Sequence, residues 1–190
     1  MERVAKSYSL MAQPYYRGMV NMDFYQLFKQ GISFEGFLNK DKDIDRQKTL
    51  DIYNNIVLED DLIERIKEID VPIYILVFAE IWCPDCMINV PALQKIADIN
   101  PNVKISILPR EGNEKYMEAY NIAGKPKIPT FIILNDEYEE KGAFIENPKK
   151  LKEIAKQSNE VEVTILRRKY RKGAYIKDTI IEILDIIESK

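Results

Sequence analysis

Trp82-Cys83-Pro84-Asp85-Cys86 holds both cysteines of a 190-residue chain that has no histidine, and its setting decides the fold. Ahead of it runs Ile73-Tyr74-Ile75-Leu76-Val77-Phe78-Ala79, an unbroken apolar stretch with the length and β-branched content of a buried strand. Behind it, Asn89 to Ala97 puts Val90, Leu93, Ile96 and Ala97 on one helical face. The cysteines therefore sit at a strand-to-helix junction. Pro84 is expected at the first helical position, where its missing N–H is not needed. Cys83 then takes the N-cap place, facing unpaired backbone N–H groups and the positive end of the helix dipole. Both favour the thiolate, the nucleophile of thiol–disulfide exchange. Cys86, one turn further on, is placed to close a disulfide with it.

Other uses of two cysteines fit less of this. A zinc site normally needs four ligands, so without histidine or a third cysteine only a site shared between chains, or one completed by carboxylates, would serve. A structural disulfide across three positions closes too small a loop to stabilise much. Two inert buried cysteines would leave the junction unexplained.

Composition sets broad limits. A hydrophobic fraction of 46% and a charged fraction of 31% describe a globular chain, long enough for one domain with extensions. The net charge of −3 gives no general reason to expect a nucleic-acid partner. No apolar run reaches the length that spans a bilayer, and Met1 to Ser7 lacks the apolar segment of a signal peptide. The expected location is cytoplasmic. Thiol pools there hold such a dithiol reduced, which favours a reductant over a disulfide-forming oxidant.

Residues 1–70 read as helical. Asn21 is expected to cap a short helix ending near Gly31, with Phe24, Leu27 and Phe28 on one face, and Ser33 to cap another bearing Phe34, Phe37 and Leu38. Lys40 to Asp43 reads as a loop. A longer helix follows to about Leu58, with Leu50, Tyr53, Ile56 and Val57 inward, and Glu59 or Asp60 starts the next, carrying Leu62, Ile63 and Ile66. The aromatics Tyr15, Tyr16, Phe24, Tyr25, Phe28, Phe34 and Phe37 read as the buried faces of packed helices, with a ligand groove as the alternative.

After the redox helix, Asn100-Pro101-Asn102 is a stop, and Val103 to Leu108 reads as a second strand parallel to the first. Arg110 to Asn113 is a turn and Glu114 to Tyr120 a short helix. The strand Phe131 to Leu134 turns at Asn135-Asp136 into a partner over Glu137 to Lys141, and Asn147-Pro148 opens a helix to about Gln157. Gln157 to Lys172 is ambiguous between strand and helix. Its five cations within Arg167-Arg168-Lys169-Tyr170-Arg171-Lys172 suit a solvated helix end closed by Gly173, or else an anionic partner such as RNA or an acidic protein. A last helix from Ala174 to Glu188 presents Ile176, Ile180, Ile183, Leu184 and Ile187.

Residues 73–157 resemble the thioredoxin fold. Trp82-Cys83-Pro84-Asp85-Cys86 is similar to that family's active-site motif, Pro91 to the proline that kinks its active-site helix, and Ile128-Pro129-Thr130 to its Ile-Pro-Thr segment. The resemblance implies an α/β fold, a three-layer α/β/α sandwich around a mixed four-stranded sheet with added terminal helices. Residues 1–70 would form a helical N-terminal extension packed on the core, 71–158 the core, and 159–190 a C-terminal helical extension. It implies a cis bond before Pro129, with the backbone of Ile128 offered to an extended substrate chain.

Two departures stand out. The family's buried acid is replaced by Val77, so the proton-accepting role toward Cys86 passes to Glu80, Asp85 or water. Pro-Asp between the cysteines also places an anion where it opposes the Cys83 thiolate. The expected activity is thiol–disulfide oxidoreduction of protein substrates. Cys83 attacks, Cys86 resolves, Trp82 shields the site, and Ile128, Pro129 and Thr130 position the substrate. Electrons would come from a separate reductase or a small thiol, with no bound cofactor or metal. One alternative is a glutaredoxin-like enzyme taking a small anionic thiol at Arg110, Lys125 and Lys127. Another is a non-enzymatic binding module.

Overall fold

A computed structural model describes residues 23–41 and 43–189. In chain order they form α1 (Phe24–Gln30), α2 (Phe34–Leu38), α3 (Ile44–Asn55), α4 (Asp60–Lys67), β1 (Ile73–Phe78), α5 (Cys86–Ile99), β2 (Val103–Leu108), β3 (Asn121–Ile122), β4 (Lys125–Pro126), β5 (Thr130–Leu134), β6 (Glu140–Ile145), α6 (Lys149–Gln157), α7 (Glu160–Tyr170) and α8 (Ile176–Glu188). Four strands make a mixed sheet in the order β2-β1-β5-β6. β1 and β2 run parallel, Ile73 opposite Val103 and Phe78 opposite Leu108, as a helical crossover through α5 requires. β5 is antiparallel to both neighbours. Every residue of β5 and all but Tyr74 of β1 are buried, which explains their apolar, non-alternating sequences. Pro91 lies inside α5, where it has no N–H to give the carbonyl of Met87 one turn back.

The N-terminal helices close over this sheet through one apolar cluster that joins Leu27, Phe37, Leu38, Leu62 and Ile66 to β1, β2 and β5. Asp23, not Asn21, caps α1, accepting from the N–H of Gln26; Asn21, Tyr15 and Tyr16 lie outside the described residues. Ser33 caps α2 as expected. Between these helices Ile32 exchanges backbone hydrogen bonds with Ile107 at 2.8 and 2.9 Å, adding a bridge to the β2 edge that the sequence reading lacks. Gly31 makes that approach possible. A Cβ there would stand 2.9 Å from the backbone N of Ile107 and closer still to Ser106 Oγ. The aromatics are packing residues: Phe28, Tyr74 and Tyr138 meet with ring centroids 4.2–5.8 Å apart. α3 stops at Asn55, because Ile56 is extended, and Val57, expected inward, is 90% exposed. Leu62 and Ile66 of α4 are buried, and the Asn100 amide donates to the carbonyls of Ile66 and Ile69 at its C-terminal end.

Three further expectations shift. The segment 114–120 is helical only as a 3₁₀ turn over Glu114–Tyr116; a hairpin follows, β3 with β4, turned by Ala123 and Gly124 at φ 52° and 76°. The partner of β5 begins at Glu140, not Glu137, because the Asn135 side chain accepts from the N–H groups of Glu137 and Glu139 and widens the turn. α6 opens at Lys149 with Pro148 extended before it, and its first N–H bonds the Glu182 carboxylate of α8 at 2.7 Å.

The ambiguous segment is helix α7. Asn159 and Glu162 form a capping box at its start, and at its end the N–H groups of Gly173 and Ala174 bond the carbonyls of Tyr170 and Lys169 with Gly173 at φ 87°. α8 packs on α5 and β6, burying Ile180, Ile183 and Leu184, while α6 pairs with α7 in a small second core of Leu151, Leu166 and Tyr170 against Ile88.

Candidate active site

β1 delivers the chain to the redox motif at its C-terminal end, and α5 leads away from it. The regular helix starts at Cys86 with Asp85 at its N-cap, so Pro84 stays in the preceding turn rather than taking the first helical place. Cys83 is nonetheless tied to that turn, since its carbonyl accepts the N–H of Met87 at 3.0 Å. Both thiols are free. Cys83 is 6% exposed and Cys86 wholly buried, so the outer sulfur is reached through a narrow opening. The Cys83 thiol donates to the Ile128 carbonyl at 3.6 Å, and the Ile128–Pro129 bond is cis. Thiol donation from Cys86 and the backbone N–H groups of Cys86 and Asp85 pull the Cys83 pKa below its ordinary value, against burial and the Asp85 charge. Burial, and then the neighbouring Cys83, drive the Cys86 pKa well above the ordinary range. The pair is thus split into an outer thiol whose thiolate is favoured and an inner thiol that holds its proton.

Around them the other expected residues divide. Thr130 is buried, its hydroxyl donating to the Lys127 carbonyl at 2.7 Å, which braces the turn that carries Ile128 and Pro129. Glu80, a candidate proton acceptor, instead uses its carboxylate to accept the backbone N–H groups of Arg110 and Glu111 at 2.8 and 3.4 Å. Lys127 pairs with Glu146 at 3.0 Å, while Lys125 lies exposed on the β4 hairpin and Arg110 exposed in the loop after β2. Trp82 is 57% exposed and, with Pro84 and Met87, lines a groove of about 450 Å³ against Asp45, Lys48 and Ile52 of α3.

On the far side of the motif is a contact no motif announced. Asn89 is fully buried on α5; the two hydrogens of its Nδ2 are shared among Tyr170 Oη at 2.7 Å and the carbonyls of Asp85 and Glu146 at 3.0 Å each, and its Oδ1 accepts from Thr179 Oγ1 at 2.8 Å. Tyr170 and Asp85 line the same cavity, and the Tyr170 hydroxyl favours the Asp85 carboxylate. Asp85 makes no side-chain cap of its own helix. Burial raises its pKa above the usual carboxyl value, with Tyr170, Arg171 and Lys127 acting the other way.

A sequence model of the thioredoxin family matches residues 31–171, close to three quarters of the chain. The chain belongs to the thioredoxin family. Solved structures similar to it include a protein of unknown function from Pseudomonas aeruginosa, 25% identical at a TM-score of 0.79, covering 88% of this chain and 98% of its own. An HIV epitope-scaffold covers the same shares at 24% identity and a TM-score of 0.76. Mitochondrial thioredoxin 3 of Saccharomyces cerevisiae, in its oxidized form, overlaps 56% of the chain at 21% identity and a TM-score of 0.34, covering 99% of its own length. No curated protein sequence matches.

The family match runs past the segment that carries the motifs, at both ends. Ile32, just inside its start, bridges to β2, and Tyr170, just inside its end, accepts a hydrogen bond from Asn89 of α5. Tyr170 was hidden within a run of cations that read as solvated. The one available signal was its being the lone aromatic of that run. Asn89 was equally silent, as a polar residue in the first turns of a helix gives no sign of full burial.

Proposed function

We propose that this thioredoxin-family protein is a thiol–disulfide oxidoreductase that reduces disulfides of protein substrates through Cys83 and Cys86. The Cys83 thiolate attacks one sulfur of the substrate disulfide; that S–S bond breaks, a mixed disulfide forms, and the departing substrate thiolate takes up a proton. Cys86 then gives up its proton and attacks Cys83, releasing the second substrate thiol and leaving a Cys83–Cys86 disulfide. Two electrons have passed to the substrate. A separate reductase or a small dithiol returns them, and a reducing compartment such as the cytoplasm suits this direction. The observation that carries the reading is the seat of Cys83 against the Ile128 carbonyl, next to the cis Pro129, with Cys86 fully buried behind it. That carbonyl and its flanking backbone are the surface an extended substrate chain would meet. Of the three cations that would seat a small anionic thiol, Lys127 is already paired with Glu146.

The test is insulin reduction with dithiothreitol as electron donor. The wild type is expected to accelerate precipitation of the insulin B chain and Cys83→Ser to leave it at the uncatalysed rate. Equal rates for the two proteins refute the reading. Alkylation of the reduced protein is expected to label Cys83 well before Cys86.

A further inference from the structure

Cys86 must lose a proton to resolve a mixed disulfide, and Cys83 must hold a charge to form one, so any fixed acid beside the pair shapes both steps. The family's buried acid position is Val77 here, fully buried, and Glu80 is engaged by the backbone of the 110–111 loop. Asp85 remains, between the two cysteines. Its surroundings come from the end of β6, from α6 and from α7.

The hydrogen bonds have a direction. The carbonyls of Asp85 and Glu146 can only accept, so they turn Nδ2 of Asn89 toward themselves and Tyr170 Oη, while Oδ1 faces the Thr179 hydroxyl on α8. Tyr170 Oη therefore accepts from Asn89 and has its own hydrogen to place. The carboxylate at hand is Asp85, which lines the same cavity of about 610 Å³ between α6 and α7. Burial and the Asp85 charge push the tyrosine pKa far above its ordinary value, so the hydroxyl stays a donor across the working pH range.

We propose that Tyr170 is a positioning residue of the redox site: its hydroxyl, aimed by Asn89, holds the Asp85 carboxylate between Cys83 and Cys86. By that hold it sets the pH at which the dithiol becomes reactive. Other charges also bear on Asp85. Glu146, at the end of β6, favours its protonated form, whereas Lys127 ahead of β5 and Arg171 after α7 favour the carboxylate. Arg167 on α7 and Lys152 and Lys156 on α6 line the same cavity. Only Tyr170 and the backbone are tied into a chain that reaches α8. The consequence for turnover rests on the oxidoreductase reading; the chemistry at the cysteines does not, and it can be measured without any substrate.

The experiment is the pH profile of Cys83 alkylation by iodoacetamide, read peptide by peptide in the reduced full chain. In the wild type the ionised Asp85 restrains Cys83, so the profile carries an inflection where Asp85 titrates. Tyr170→Phe removes the donor that favours the carboxylate. The inflection is then expected to move to higher pH, with Cys83 alkylating about threefold faster below it, half a pKa unit. Asp85→Asn is expected to lose the inflection, and Tyr170→Phe/Asp85→Asn to match Asp85→Asn alone. A Tyr170→Phe profile superimposed on the wild type overturns the proposal. So does a Tyr170→Phe effect that persists undiminished without the carboxylate, since Tyr170 would then act by packing. If circular dichroism shows Tyr170→Phe misfolded, Thr179→Val takes its place: a smaller shift in the same direction supports the proposal, and no shift overturns it.

Discussion

The two ends of the chain use the central sheet differently. Residues 23–70 cover it. α1 and α2 close over β1 and β2, Ile32 extends the β2 edge, and α3 and α4 lie against α5. Residues 159–189 also cover it, through α8, but they reach the helix that follows the cysteines as well, through Tyr170 and Thr179 on Asn89. Both ends bury apolar side chains and set polar ones near the motif: Asp45 and Lys48 of α3 line the groove beside Trp82 and Pro84, whereas Tyr170 and Thr179 hydrogen-bond the buried Asn89 of α5. A brace can be replaced by any side chain that fills the same space. A directed hydrogen-bond chain depends on particular donors.

The largest effect expected from this contrast is on stability at the C-terminal end. Ile183 of α8 is fully buried among the core residues, so Ile183→Ala should cost about 2–5 kcal/mol, the usual range for such a truncation. Urea denaturation followed by circular dichroism measures it. A loss under 1 kcal/mol would mean that α8 is an ornament on an independently stable core, and the contrast between the ends would collapse into redox tuning alone.

The next expectation tests the N-terminal end. Gly31→Ala drives a Cβ toward Ser106 and the backbone of β2, which must shift or release the Ile32 bridge. The loss should be about 1–3 kcal/mol. Because the N-terminal segment braces without tuning, the alkylation profile of Cys83 should not move. A changed profile would show that the β2 edge communicates with the cysteines and that the two ends are less distinct than their contacts indicate.

The sequence showed where the sheet and the cysteines lie because those signals are local. An apolar run, a strand-to-helix junction, and the cis-proline segment are each contained in fewer than ten residues. What it did not show is set by partners distant in the chain. The Ile32 bridge is two backbone hydrogen bonds across 75 positions, made where glycine lets the chains approach, and no side-chain pattern marks them. Asn89 and Tyr170 are 81 positions apart, and each reads as a solvated side chain until the other is known to lie against it. Glu80 and Lys127 show the converse. Their sequence neighbours give no sign of the groups that engage them, the 110–111 backbone and Glu146, which come from elsewhere in the fold.

The smallest expected effect falls on Asp85, and it compares an acid at each side of the motif. Asp85 lies on the C-terminal side; Asp45, from α3, lines the groove beside Trp82 and is already paired with Lys48. Asp85→Asn removes a charge that opposes the Cys83 thiolate, so the Cys83 pKa should fall. A thiolate exists only in the reduced protein, so the reduced form gains and the reduction potential becomes less negative, by about 30 mV for each pKa unit expressed in the redox equilibrium. Asp45→Asn should change neither quantity. Stability gives an independent sign. The Asp85 pKa is raised on folding from 3.8, so its protonated form favours the fold, and that contribution is lost as pH rises through the folded-state value. The stability advantage of Asp85→Asn over wild type should therefore be absent below about pH 3.8 and grow toward neutrality. Equilibration against dithiothreitol buffers and urea melts across that range measure the two. An advantage that stayed flat with pH, together with an unmoved potential, would make Asp85 equivalent to Asp45: a solvated acid at the start of a helix, with Tyr170 merely beside it.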